Sequence, residues 1–172
     1  MKHSSRLALA GAGAGLVAVL LAGCGAFSSE EETPTVNSTT QAATTQQVEP
    51  VTHHEPFDPV EDPGLHAEFD LEGAKWAPNG GIYVEVKVTN KNDKPLQKEP
   101  LANAKLRVDD GSGEKEVSAL NKDQSGVPVG LDHPLGAGST ARLRYAFDTS
   151  QAATTHAKFQ LANVIWEGNL NN

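Results

Sequence analysis

Apolar and polar residues alternate with a period of two along most of the chain after residue 64. Leu65, Ala67, Phe69 and Leu71 interleave with His66, Glu68, Asp70 and Glu72, the mark of a strand with one dry face. The clearest strand is Ile82 to Thr89, where Ile82, Val84, Val86 and Val88 point one way and Tyr83, Glu85, Lys87 and Thr89 the other. Ala104, Leu106 and Val108 alternate with Lys105, Arg107 and Asp109, and a weaker strand follows from Lys115 to Leu120. Ala141, Leu143, Tyr145 and Phe147 form another dry face opposite Arg142, Arg144 and Asp148. Phe159 and Leu161 share a phase that Val164 and Trp166 do not, which predicts a bulge near Ala162-Asn163.

Turn chemistry separates these runs. Pro78-Asn79-Gly80-Gly81 tolerates the positive φ of tight hairpins, and Asn90 to Pro95 and Asp109 to Glu114 end their strands in the same way. Asn121 to Gly138 reads as the longest loop; Gln151 to Ala157 allows at most a short turn, and no stretch has helical periodicity. About seven short alternating strands with turn signals roughly every 8–12 residues predict an all-β fold, an antiparallel immunoglobulin-like (Ig-like) β-sandwich. A small closed barrel is the structural alternative.

Before residue 63 the texture changes twice. Lys2, His3 and Arg6 precede the apolar run Leu7 to Leu21, and Leu21-Ala22-Gly23-Cys24 has the form of a lipobox. This stretch resembles the signal peptide of bacterial lipoproteins. The resemblance implies acylation of the Cys24 thiol, cleavage before it, and a protein held by lipid on the extracytoplasmic face of the cell membrane. A soluble-secretion signal and a retained membrane span are the alternatives; the span would need about 20 apolar residues, and this run is shorter and broken by Gly11, Gly13 and Gly15. From Gly25 to Asp62 the chain is rich in Ser, Thr, Glu, Gln and Pro, with few large apolar residues to offset the entropy of ordering. The expected organisation is thus a signal peptide over 1–23, the lipidated Cys24 and a disordered linker over 24–62, and the β domain over 63–172.

Charge and composition narrow the function. The chain of 172 residues carries a net charge of −8, and loss of Lys2 and Arg6 with the signal moves it to −10. Phosphate backbones are repelled by such a surface, so no nucleic-acid partner is expected. Cys24 is the only cysteine, which excludes disulfides, thiolate nucleophiles and Cys-ligated zinc once it is acylated.

Candidate chemistry is sparse. His53, His54 and Glu55 combine imidazole and carboxylate, the donor types suited to Zn²⁺ or Cu²⁺. They sit in the Pro-rich linker, where a site would carry its own ordering cost, so solvated histidines are expected and no metal or other cofactor is assigned. Asp109 to Glu114 offers oxygen ligands for calcium, but its Asp and Gly residues are already required by a hairpin turn and lack the spacing of a calcium loop. Ser118, Ser125 and Ser139 and His66, His133 and His156 fall in no nucleophile motif, and no catalytic residue is expected. Tyr83 is either a recognition anchor or a brace for its cross-strand neighbour.

The stretch Gly81 to Pro95, together with Leu135-Gly136-Ala137-Gly138-Ser139 leading into Tyr145-Ala146-Phe147-Asp148, resembles the Ig-like domains of Gram-positive, especially actinobacterial, surface lipoproteins. Some of those are domains of unknown function and others secreted antigens of the immunoprotective type. The resemblance covers about Leu65 to Trp166 and brings no catalytic residues. The expectation is a non-catalytic binding or interaction module of the cell envelope, attached to the membrane through Cys24 and meeting an unknown protein or cell-wall partner. The alternatives are a small ligand- or metal-binding lipoprotein serving a transporter and an envelope hydrolase.

Overall fold

A computed structural model describes residues 41–172. The signal-peptide reading of residues 1–23, the lipobox Cys24 and the linker up to residue 40 lie outside the described residues. Ten strands form two sheets: β1 (Val51–His53), β2 (Val60–Asp62), β3 (Ala67–Trp76), β4 (Ile82–Asn90), β5 (Ala104–Asp109), β6 (Glu114–Glu116), β7 (Ala119–Leu120), β8 (Thr140–Phe147), β9 (Ala157–Leu161) and β10 (Val164–Gly168). One sheet has the order β1-β10-β9-β5-β6 and the other β2-β3-β4-β8-β7. Pairing of these strands is antiparallel except between β1 and β10. The sheets close face to face on one core, which is the expected all-β sandwich.

The alternating residues build that core. Phe69, Leu71, Val84, Val86, Leu143, Tyr145 and Phe147 from one sheet meet Leu106, Phe159, Leu161, Val164 and Trp166 from the other, all buried. Phe159 stacks on Trp166 with centroids 5.6 Å apart and meets Tyr145 at 6.0 Å and Phe147 at 6.2 Å; Trp166 meets Phe69 at 6.0 Å. Burial of each such side chain contributes about 1.5–3 kcal/mol, so a core of this kind needs no disulfide. The buried Tyr145 hydroxyl donates to the Leu101 carbonyl at 2.6 Å, pinning the connection before β5.

Several expectations change. The phase break at Ala162-Asn163 is not a bulge but a two-residue hairpin turn, with Ala162 at φ 49° and Leu161 paired to Val164. Antiparallel pairing across a two-residue turn puts 159, 161, 164 and 166 on one face, which in a single strand would need an extra residue. The bulge lies instead between Leu71 and Gly73, where the register shifts and lets Ala74 return to the core side. The supposed loop after Asn121 holds a one-turn helix, α1 (Lys122–Ser125), capped reciprocally by Asn121 and Gln124 and ended by left-handed Gly126.

The change at the linker is the largest. The linker was expected to be disordered to residue 62, yet β1 and β2 belong to the sheets and the chain is docked from residue 43. Backbone bonds do this work: Ala43 N–H donates to Pro95 O at 2.8 Å, Gln46 N–H to Gly64 O at 2.9 Å, and Val51 N–H to Asn163 O at 2.8 Å. Such bonds are available to any side chain, so polar composition does not forbid them. Asp62 then fixes the turn into β3. Its fully buried carboxylate accepts from the Gly64 and Leu65 amides at 2.8 and 2.9 Å, and from the Asn163 amide and side chain at 2.9 and 2.8 Å.

Candidate functional site

The sandwich has two unlike ends. At one end the strap of residues 41–48 lies beside Gly64, Pro95 and Asn163, and Lys94 Nζ reaches Gln41 Oε1 at 3.1 Å. The chain enters the domain there. Strand β3 runs away from that end for ten residues, about 33 Å at the usual rise, and finishes at Trp76. The opposite end is built from the turn after Trp76, from α1 and from the one-turn 3-10 helix Gln151–Thr155. Asn79 holds the turn to α1: its amide donates to Ser125 O at 3.1 Å and its side chain to Asp123 O at 3.2 Å. Trp76 projects from this end with 64% of its surface exposed, far more than any other large apolar side chain among the described residues.

Along β3, the outer face of the β2–β7 sheet carries a ladder of cross-strand ion pairs. Glu68 meets Lys91 at 3.0 Å, Asp70 meets Lys87 at 2.6 Å and Glu72 meets Arg142 at 3.0 Å. Glu85 is the exception to the expected solvated face. It is buried between Lys75 and Arg144, bonded to both, and Arg144 lies 5.5 Å over the Tyr83 ring. Burial alone pushes the Glu85 carboxyl up, but the hydrogen bonds from Lys75 and Arg144 outweigh it and hold the group below its ordinary 4.5. Tyr83 is therefore a brace for Arg144.

The candidate ligands stay apart. His54 Nδ1 lies 3.8 Å from Glu167, while His53 pairs with Trp166 across β1 and β10, its Nε2 buried without a protein partner. Among the described residues no three His, Cys, Asp or Glu converge as a metal set, and Glu55 serves a turn in which its carbonyl accepts from Asp58 N–H at 3.0 Å. In the Asp109 to Glu114 turn, Asp109 Oδ1 accepts from the Gly111 and Gly113 amides and Asp110 holds Ser112 and Lys115. The carboxylates face the turn's own donors, not a common centre. His66 does not sit on the outward face of β3 beside Glu68; it occupies a left-handed turn before the strand, 3.8 Å from Glu61. The Ser125 hydroxyl donates to the Asn121 carbonyl at 2.8 Å, Ser118, Ser139, His133 and His156 are exposed, and no serine among the described residues bonds a histidine.

A shallow cavity of about 220 Å³ opens on the outer face of the other sheet, among Arg107, Asp109, Glu114, His156, Lys158 and Glu167. Lys158 spans it, 2.6 Å from Glu114 and 3.4 Å from Glu167, and the hydrogen bond to Glu114 raises its pKa. Arg107 has only a distant partner, Glu116 at 4.0 Å.

No protein-family model, curated protein or solved structure matches this chain.

Two surface features stand out among the described residues: the exposed indole of Trp76 at the end away from the strap, and the mixed-charge cavity at Arg107 and Lys158. Sequence reasoning passed over Trp76 because it stands beyond the Leu65–Glu72 alternation and shares the phase of Leu71 only through the bulge before Gly73. The adjoining Pro78-Asn79-Gly80-Gly81 turn was the available signal that the residue stands at the rim. The capping pattern Asn121 to Gln124 likewise announced α1.

Proposed function

We propose that this chain is a lipid-anchored, extracytoplasmic binding module of a bacterial envelope, non-catalytic, which engages a protein or cell-wall partner through the end that bears Trp76. The observation that carries the reading is the exposure of Trp76 opposite the point where the chain enters the domain. A chain tethered through Cys24 arrives beside Lys94 and Gly64, so the Trp76 end is the one it presents outward. Isolated exposed indoles are favoured recognition anchors, because they desolvate a large rigid area at small entropic cost. The lipobox supports the anchor, and the acidic surface supports a partner other than nucleic acid.

Small-ligand capture is a second reading, favoured by the cavity at Arg107 and Lys158. The two are separated by measuring retention of the 41–172 chain on envelopes of the source cell. A hot-spot loss of about 2 kcal/mol corresponds to roughly 30-fold weaker retention for Trp76→Ala. Undiminished retention of that variant, with loss in Arg107→Ala, would move the reading to the cavity.

A further inference from the structure

We propose that residues 41–53 form an exchangeable strap, and that the free edge of β10 accepts β1 from a second copy of this chain. The proposal does not depend on the partner-binding reading.

The strap is held in a way that transfers readily between copies. Apart from the exposed Lys94–Gln41 contact, its bonds to the domain are those of backbone groups or of the Asn163 side chain: Ala43 to Pro95, Gln46 to Gly64, Val48 N–H to Asn163 Oδ1 at 3.2 Å, and Val51 to Asn163. Only Ala43 is a buried apolar residue, while Val51 is 42% exposed. β1 is three residues long, and it is the one parallel member of the sheets. His53, the residue paired with Trp166, makes no hydrogen bond to a protein atom through Nε2. Each bond contributes about 0.5–1.5 kcal/mol net, and little apolar burial adds to them. The core itself does not use the strap, because its buried cluster begins at Leu65.

The connection to β2 is suited to act as the hinge. Residues 54–59 include Pro56 and Pro59 and a turn in which Asp58 N–H donates to Glu55 O at 3.0 Å. Gly168, at φ 138°, lies against Pro56, where an added Cβ would meet its ring at 3.4 Å. A short, proline-stiffened turn between two sheets is the element whose opening turns a closed protomer into an exchanged pair, with every strap contact re-formed on the partner.

The test uses the 41–172 chain, which carries both sheets and the whole core. Isotope-labelled and unlabelled chains are mixed at about 1 mM, separated by size and weighed. The expected result is a dimer fraction that grows with concentration and contains labelled–unlabelled pairs; the 60–172 chain, which lacks the strap, stays monomeric at the same concentration. A second variant lacks residues 54–59. It joins His53 directly to Val60, a Cα step of about 3.8 Å that cannot cross sheets about 10 Å apart. It is expected to be dimeric, with the amides of Val51–His53 protected from hydrogen exchange. Monomer at all concentrations in the first chain, together with freely exchanging strap amides in the second, overturns the proposal. A dimer that persists in the 60–172 chain also overturns it.

Discussion

At the scale of single residues, the decisive feature is how buried polar groups are satisfied. Asp62 and Glu85 are both acids in strand positions, and both are buried, but for different purposes. Asp62 is surrounded by amide donors and ties the β2–β3 turn to the β9–β10 turn. Glu85 joins three strands by ion pairs, since Lys75 lies on β3 and Arg144 on β8. Because the folded Glu85 carboxyl titrates below its ordinary 4.5, the folded state binds its proton less readily than the unfolded chain. Its stabilising contribution is therefore complete above that ordinary value and is lost as pH falls through the lowered one. Glu85→Gln is expected to flatten the fall in melting temperature below about pH 4.5 while leaving the neutral-pH fold intact. An acid limb as steep as in the unaltered chain would assign the acid sensitivity to other carboxylates.

At the scale of elements, the interior strands were legible from side chains and the peripheral ones were not. β3, β4, β5 and β8 each bury one face, so burial imposes the period of two on their sequences. β1 and β2 bury little apolar surface and are held through main-chain groups and the Asp62 carboxylate, which leave no period of two in the choice of side chain. The same reasoning explains why α1 escaped detection: four residues make one turn, too short for a period of 3.6. Gly64 provides a direct check on the docked strap. A Cβ there would lie 2.0 Å from the Gln46 carbonyl oxygen and 2.7 Å from Asn163 Nδ2. Gly64→Ala is therefore expected to expel residues 43–48, raising their amide exchange rates at least tenfold while β3 and β4 stay protected. Unchanged exchange in residues 43–53 would show that the strap yields without leaving.

At the scale of the whole molecule, a sandwich about 33 Å long separates the point of chain entry from the exposed indole. Near Trp76 the outer face carries Glu72 paired with Arg142, and Glu85 held between Lys75 and Arg144. Of the candidate site residues, the Asp109 to Glu114 turn was legible in the sequence, because its side chains bond amides only two to four residues away. The rim position of Trp76 was not legible, because exposure at the end of a strand depends on what the opposite sheet covers. The proposed anchor at Cys24 sets the outward direction proposed for the Trp76 end. The most direct measurement is the intact mass and N-terminal sequence of the mature protein recovered from membranes of its source cell. We predict a chain beginning at Cys24 and carrying a thioether-linked diacylglyceryl group, with the protein released to the medium in the Cys24→Ser variant. A mature chain that begins elsewhere, or an unmodified Cys24 thiol, would contradict it.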